Sequence, residues 1–200
     1  PQTIDDDLRF TDRTLGYETA VRQASTYINS MINSNVGHDK DMIVEVMGRD
    51  AGWLALGTAM NTPACACMCP EGPMDLEEMI ARMQHFKKTT GRAGLAIVSE
   101  GVQLEDIDRG ELPKDAFGNV YYAGVSRIVG QKYEEATGRK PRVQVMGYLL
   151  RGGIPSPADV ELAASFANQA VDLALAGKTG YMVTILDGRE QAIPLKDVAG

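Results

Sequence analysis

Met42-Ile43-Val44-Glu45-Val46-Met47-Gly48-Arg49 is an apolar run, rich in β-branched residues, that stops on a glycine and an arginine. Residues 42–47 have the length and residue types of a buried strand. Gly48 lets a ligand approach the backbone closely. Arg49 then either places positive charge on a transferring phosphoryl group or stands as a solvated charge after a strand. Upstream, Ala20, Val21, Ala24, Tyr27, Ile28, Met31 and Ile32 recur at helical spacing. Downstream, residues 51–61 read as a small-residue helix and 64–68 as a strand. Asp75 caps a helix running to about His85, and 95–98 is a short buried strand. A helix over 121–137 stops at Gly138; 143–146 is a strand, 157–175 a long helix and 181–186 a strand. This alternation predicts an α/β fold with parallel sheet layers and helices on both faces. Residues 101–120 are polar and read as an inserted loop or arm.

Apolar residues make up 44% of the 200-residue chain, enough for a core. A net charge of −7 argues against a nucleic-acid or anionic-membrane partner, although a few local arginines can still hold an anionic substrate. No apolar run approaches the roughly 18 residues of a membrane span, and no signal-peptide pattern opens the chain; the cytoplasmic setting expected here rests on reading the cysteines as free thiols. The three cysteines alternate as Cys65-Ala66-Cys67-Met68-Cys69. Alternation places them on one face of a strand, as free thiols in a reducing compartment. A zinc site is the other reading, with only His38 and His85 to complete four ligands.

Ligands of open parallel sheets sit beyond the carboxyl ends of the strands. The positions to inspect are therefore Gly48-Arg49, Pro70-Glu71, Ser99-Glu100 and 147–153. Arg151, followed by Gly152 and Gly153, suits bidentate phosphate binding; a glycine turn with a solvated charge is the alternative. Arg142 begins the strand that precedes Arg151, too far along it to share that pocket, and would have to serve a neighbouring subunit. Asp5-Asp6-Asp7 sets three carboxylates in a row, which calls for a metal ion or a raised pKa, or else forms an ordinary acidic turn. In an extended segment Asp5 and Asp7 point the same way, one as a base and the other toward a cation.

Taken together, Pro1-Gln2-Thr3-Ile4-Asp5-Asp6-Asp7, Thr14-Leu15-Gly16-Tyr17-Glu18-Thr19-Ala20, Val44–Arg49, Ser99-Glu100-Gly101 and Met146–Gly153 resemble the bacterial-type phosphofructokinase family in order and spacing. The resemblance implies transfer of a phosphoryl group from ATP or pyrophosphate to the 1-hydroxyl of fructose 6-phosphate, with Mg2+. It implies Asp5 as general base, Asp7 beside the magnesium, and Arg49 on the transferring group. Thr3, Met47, Gly48 and Glu100 match sugar contacts, and Tyr148 and Arg151 match 6-phosphate contacts. Lys40 and Arg142 match contacts reaching in from a neighbour, so a homo-oligomer (dimer or tetramer) with shared sites is expected. The implied domains are 1–16, the end of a donor-binding domain; 17–150, which binds the sugar phosphate; and 151–200, returning to the donor-binding domain.

Several positions depart from the family pattern. Asp6 replaces the usual Asn and adds negative charge near the metal. Leu150 replaces Gln, Lys40 replaces Arg, and Tyr148 is less usual in ATP-dependent allosteric members. Cys65 replaces an acidic ligand of the allosteric site, which implies a non-allosteric chain. Gln2 stands where ATP users carry Gly and pyrophosphate users carry Lys, which leaves the donor open with a lean toward pyrophosphate. The family's glycine-rich donor loops precede the segment at Pro1, so the chain is expected to be a fragment of a longer enzyme. The alternative is a non-catalytic subunit that keeps the sugar-phosphate pocket.

Overall fold

The computed structural model describes residues 1–104 and 124–198. Its centre is a four-stranded, all-parallel sheet of β3 (Met42–Val46), β4 (Ala66–Met68), β5 (Leu95–Ser99) and β6 (Arg142–Val145), in the order β4-β5-β3-β6. Both faces are covered. Helices α1 (Tyr17–Asn35) and α2 (Trp53–Met60) pack on the face of Met42, Val44 and Val46. Helices α3 (Leu76–Thr90) and α4 (Val125–Thr137) pack on the face of Ile43, Ala96 and Val98. Every β3 residue is buried, as a two-sided parallel sheet requires. Glu45 is the polar exception. Its carboxylate accepts the Gly124 and Ser126 N–H groups at 3.0 and 2.8 Å, which satisfies the amino end of α4.

A second group of elements lies beside this sheet. β1 (Gln2–Thr3) and β2 (Leu15–Gly16) form a two-strand parallel ladder, and β2 runs directly into α1. A 3-10 helix, Gly147–Arg151, follows β6 and leads to α5 (Pro157–Leu175). The chain continues through β7 (Tyr181–Leu186) and β8 (Arg189–Pro194) to α6 (Leu195–Val198).

Two expectations change. The strand at 181–186 does not extend the parallel sheet; it pairs antiparallel with β8 across Asp187-Gly188, both at positive φ. Such a two-residue turn matches strand twist and makes a hairpin. The cysteines do not share a face. The ladder begins at Ala66, so Cys65 precedes it, bonds Leu95 O and packs against the α3–α4 side, while Cys67 and Cys69 pack toward α1–α2. Among the described residues no group of three or more His, Cys, Asp or Glu side chains could hold a metal. The arm at 101–120 and the start of the 121–137 helix fall mostly outside the described residues. Among the described residues no helix is long and apolar enough to cross a membrane.

Candidate active site

A cleft of about 1010 Å³ opens between β1–β2, the carboxyl end of β3 and the amino end of α5. Gln2, Thr3, Asp5, Asp7, Arg49 and Arg151 line it, together with Gly16, Thr19, Leu150 and Asp159. Asp5 is buried, and its Oδ2 lies 4.0 Å from Arg49 Nε. Burial pushes the Asp5 carboxyl up from its ordinary pKa and the Asp7 charge adds to this; Arg49, Arg151 and a Thr3 hydrogen bond pull the other way without cancelling it. Asp6 turns away from the cleft. It sits at φ 56° and accepts the Thr14 N–H at 3.0 Å, while the Thr14 hydroxyl donates to Thr3 O at 2.7 Å. The expected extra charge near a metal is therefore engaged in holding β1 to the segment that enters β2.

Arg49 owes its place to its backbone. Gly48 adopts φ 146°, and a Cβ there would meet Ala51 O at 2.5 Å, so no other residue fits. Arg49 follows at φ 51°. Glu100, just past β5, accepts both N–H groups through Oε1, Arg49 at 2.9 Å and Gly48 at 3.1 Å. Its pKa is raised, first by burial and despite these two bonds. Met47 is half-buried against the α1–α2 core.

The family model for phosphofructokinase matches residues 1–174 of this chain. The chain belongs to the phosphofructokinase family. It is 33% identical over 201 residues to ATP-dependent 6-phosphofructokinase 3 of Streptomyces coelicolor, covering 98% of this chain and 58% of that protein. It is 34% identical over 200 residues to pyrophosphate–fructose 6-phosphate 1-phosphotransferase of Thermoproteus tenax, covering 100% of this chain and 58% of that one. The crystal structure of pyrophosphate-dependent phosphofructokinase from Marinobacter aquaeolei superposes with a TM-score of 0.82 at 28% identity, over 100% of this chain and 51% of that one. The chain thus spans little more than half the length of these relatives.

Within this phosphofructokinase-family chain, the remaining expected residues divide into two groups. Arg151 reaches the cleft, and exposed Tyr148 stacks on it, its ring centroid 5.3 Å from the guanidinium carbon. Lys40 and Arg142 lie at the other end of the sheet. Arg142 pairs with Met42 at the start of β3, and the four steps from Met42 to Val46 separate the ends by about 13 Å at roughly 3.3 Å per residue. One copy of the chain therefore does not bring them to its own cleft. Thr19 and Asp159 were missed by the sequence reading, yet both line the cleft and bond each other. Burial alone raises the Asp159 pKa, but bonds from Thr19, Gly16 and Ser156 outweigh it and hold the carboxyl below its ordinary value. The available signal was Ser156-Pro157-Ala158-Asp159, a serine cap followed three residues later by an acid.

Proposed function

We propose that the protein carrying this chain is a 6-phosphofructokinase, which moves a phosphoryl group from pyrophosphate or ATP to the 1-hydroxyl of fructose 6-phosphate. The observation that carries this reading is the pairing of buried Asp5 with Arg49 at 4.0 Å, in a cleft whose wall also holds Arg151. Asp5 takes the hydroxyl proton as the O1–P bond forms, and the bond from phosphorus to the donor oxygen breaks to release phosphate or ADP. A raised pKa suits a base that must accept a proton near neutral pH. Arg49 offsets charge on the group in transit. Thr3, Met47, Gly48 and Glu100 face the sugar, and Tyr148 and Arg151 hold its 6-phosphate. Lys40 and Arg142 come from a neighbouring copy, in a dimer or tetramer.

Asp5 and Asp7 are alternate residues that both line the cleft. This fits Mg2+, which binds through one or two carboxylates plus substrate phosphates rather than in an all-protein cage. Asp7 would hold it, and the ion would neutralise charge on the donor phosphates.

We assign residues 1–16 to the end of a donor-binding domain, 17–150 to the sugar-phosphate domain and 151–200 to a return segment that packs on the donor-binding domain. In support, β1–β2 is too small a sheet to stand alone, and α5 presents Val160, Val171 and Leu175 to solvent. Relatives named for each donor match about equally well, and Gln2 lines the cleft at the donor-selecting position, with the lean toward pyrophosphate. The free thiols of Cys65, Cys67 and Cys69 fit a cytoplasmic setting.

The test is to incubate the protein with fructose 6-phosphate, Mg2+ and each donor in turn, and to follow the bisphosphate by phosphorus NMR. Product is expected with at least one donor and is lost in Arg49→Ala. Tight binding of the sugar phosphate with no product from either donor would overturn the transfer reading.

A further inference from the structure

Helices α1 and α5 begin side by side, and each takes part of its cap from the other. The N-cap of α1 is Gly16, which has no side chain to offer its orphan N–H groups. Asp159 of α5 serves them instead. Oδ1 accepts the Gly16 N–H at 2.9 Å, and Oδ2 accepts the Thr19 N–H at 2.8 Å. The N-cap of α5 is Ser156, and Asp159 follows at the position of a capping-box acid. In a closed box that carboxylate would return to the Ser156 N–H. Here the Ser156 N–H donates to Thr19 Oγ1 at 2.9 Å, and the Thr19 hydroxyl donates to Asp159 Oδ2. Ser156 keeps its own half of the box by accepting the Asp159 N–H at 3.1 Å. One capping box is thus shared between two helices whose partners lie 140 residues apart in sequence. The positive ends of both helix dipoles meet at one carboxylate.

This exchange ties two walls of the cleft to a single point. Gly16 pairs with Thr3 in the β1–β2 ladder, two residues before Asp5. On the other side, Ser156 closes the segment that starts at Arg151. Buried Leu150 anchors the near end of that segment, and Gly153 lies against α1, where a Cβ would meet Gln23 Oε1 at 2.8 Å and Thr19 Cγ2 at 3.3 Å. We propose that the Thr19–Asp159 exchange is the positioning device that sets the spacing between Asp5 and Arg151, and with it the length of phosphorylated substrate that the cleft accepts. The proposal rests on the reading of Asp5 as the base and Arg151 as the phosphate holder. Thr19 and Asp159 act through those residues.

Thr19→Val keeps the side-chain shape and removes the hydroxyl. In the whole protein it is expected to raise KM for fructose 6-phosphate roughly tenfold, the scale of a lost hydrogen bond to a charged group, with a smaller change in kcat. Thr19→Ser restores the parent KM. In an Arg151→Ala background Thr19→Val adds nothing further to KM, because the residue it positions is gone. Asp75→Ala, which removes the N-cap of α3 away from the cleft, is the control for general loss of stability and leaves KM unchanged. If Thr19→Val does not fold, Asp159→Glu, which keeps the charge and displaces the carboxylate by one methylene, carries the same cycle. Effects of Thr19→Val and Arg151→Ala that multiply, or a Thr19→Ser protein as impaired as Thr19→Val, overturn the positioning role while leaving the functional reading in place. An Arg151→Ala protein with parent KM overturns the Arg151 reading, and this inference with it.

Discussion

The Glu100 carboxylate holds Arg49 by its backbone, with Oε1 accepting the Arg49 N–H at 2.9 Å. Arg49 sits at φ 51°, a left-handed conformation that costs a non-glycine residue roughly 1–2 kcal/mol. Glu100→Ala removes the acceptor that supports it. Arg49 should relax away from the cleft and kcat should fall roughly ten- to a hundredfold, the scale of an ångström-sized misplacement. Glu100→Gln keeps a carbonyl acceptor and should retain most of the activity. Steady-state kinetics decide the matter: an alanine variant as active as the parent breaks the link between Glu100 and Arg49.

Asp5→Asn should lower turnover by roughly two to four powers of ten, the range for loss of a general base, with little change in sugar-phosphate binding. It should also stabilise the fold at neutral pH. The folded-state pKa of Asp5 is raised, by burial first and by Asp7 second, so the charged form is disfavoured in the native protein. The stability tied to protonated Asp5 is fully present below the ordinary carboxylate range and is lost as pH rises through the raised folded value. The variant should therefore melt higher than the parent at pH 7, and the gap should close on acidification toward about pH 4, the unperturbed aspartate value. Thermal melts of both proteins across that range check the sign. A gap that widens in acid contradicts it.

Mixing Arg142→Ala with Arg151→Ala protein should restore part of the activity lost in each. Arg151 lines the cleft while Arg142 sits at the amino end of β6, so a pocket built from two copies would be intact once per mixed pair. Up to about half of the parent activity per mixed dimer is the ceiling for one intact pocket of two, given the isologous symmetry of a dimer. Absence of recovery after verified subunit exchange counts against the shared pocket.

Gln2→Lys should raise pyrophosphate-dependent kcat, because the added cation acts on charge that develops during transfer. Gln2→Gly should lower it, since a hydrogen-bond donor leaves the cleft wall. Kinetics with both donors at saturating sugar phosphate are the measurement. A parent protein that strongly prefers ATP sinks the donor assignment and leaves the sugar-phosphate residues untouched.

The sheet was legible because its signals are local. The 42–47 run became β3, and the helical spacing of Ala20, Val21, Ala24 and Ile28 became the buried stripe of α1. The alternation of Asp5 and Asp7 placed both on the cleft wall, with Asp6 turned to Thr14. β8 escaped notice because Arg189-Glu190-Gln191 is polar, although Asp187-Gly188 is a hairpin signal in its own right. Cysteine parity failed at Cys65, which precedes the ladder of β4 and packs on the opposite side from Cys67 and Cys69. Asp159 carries no local sign of its main partners, since Gly16 and Thr19 reach it only through the tertiary fold.

That long reach bears on how the molecule assembles. The first donors of α1 wait for a carboxylate made 140 residues later, so the helix emerges in synthesis with its amino end unfinished. Loop-closure cost grows only with the logarithm of length, yet contacts of such separation are the slow ones in a folding reaction. The β3–β5 and β4–β5 pairings join nearer neighbours and can condense first. In a refolding chain the nearer sheet pairings are therefore expected to form ahead of the α1–α5 contact that borders the cleft.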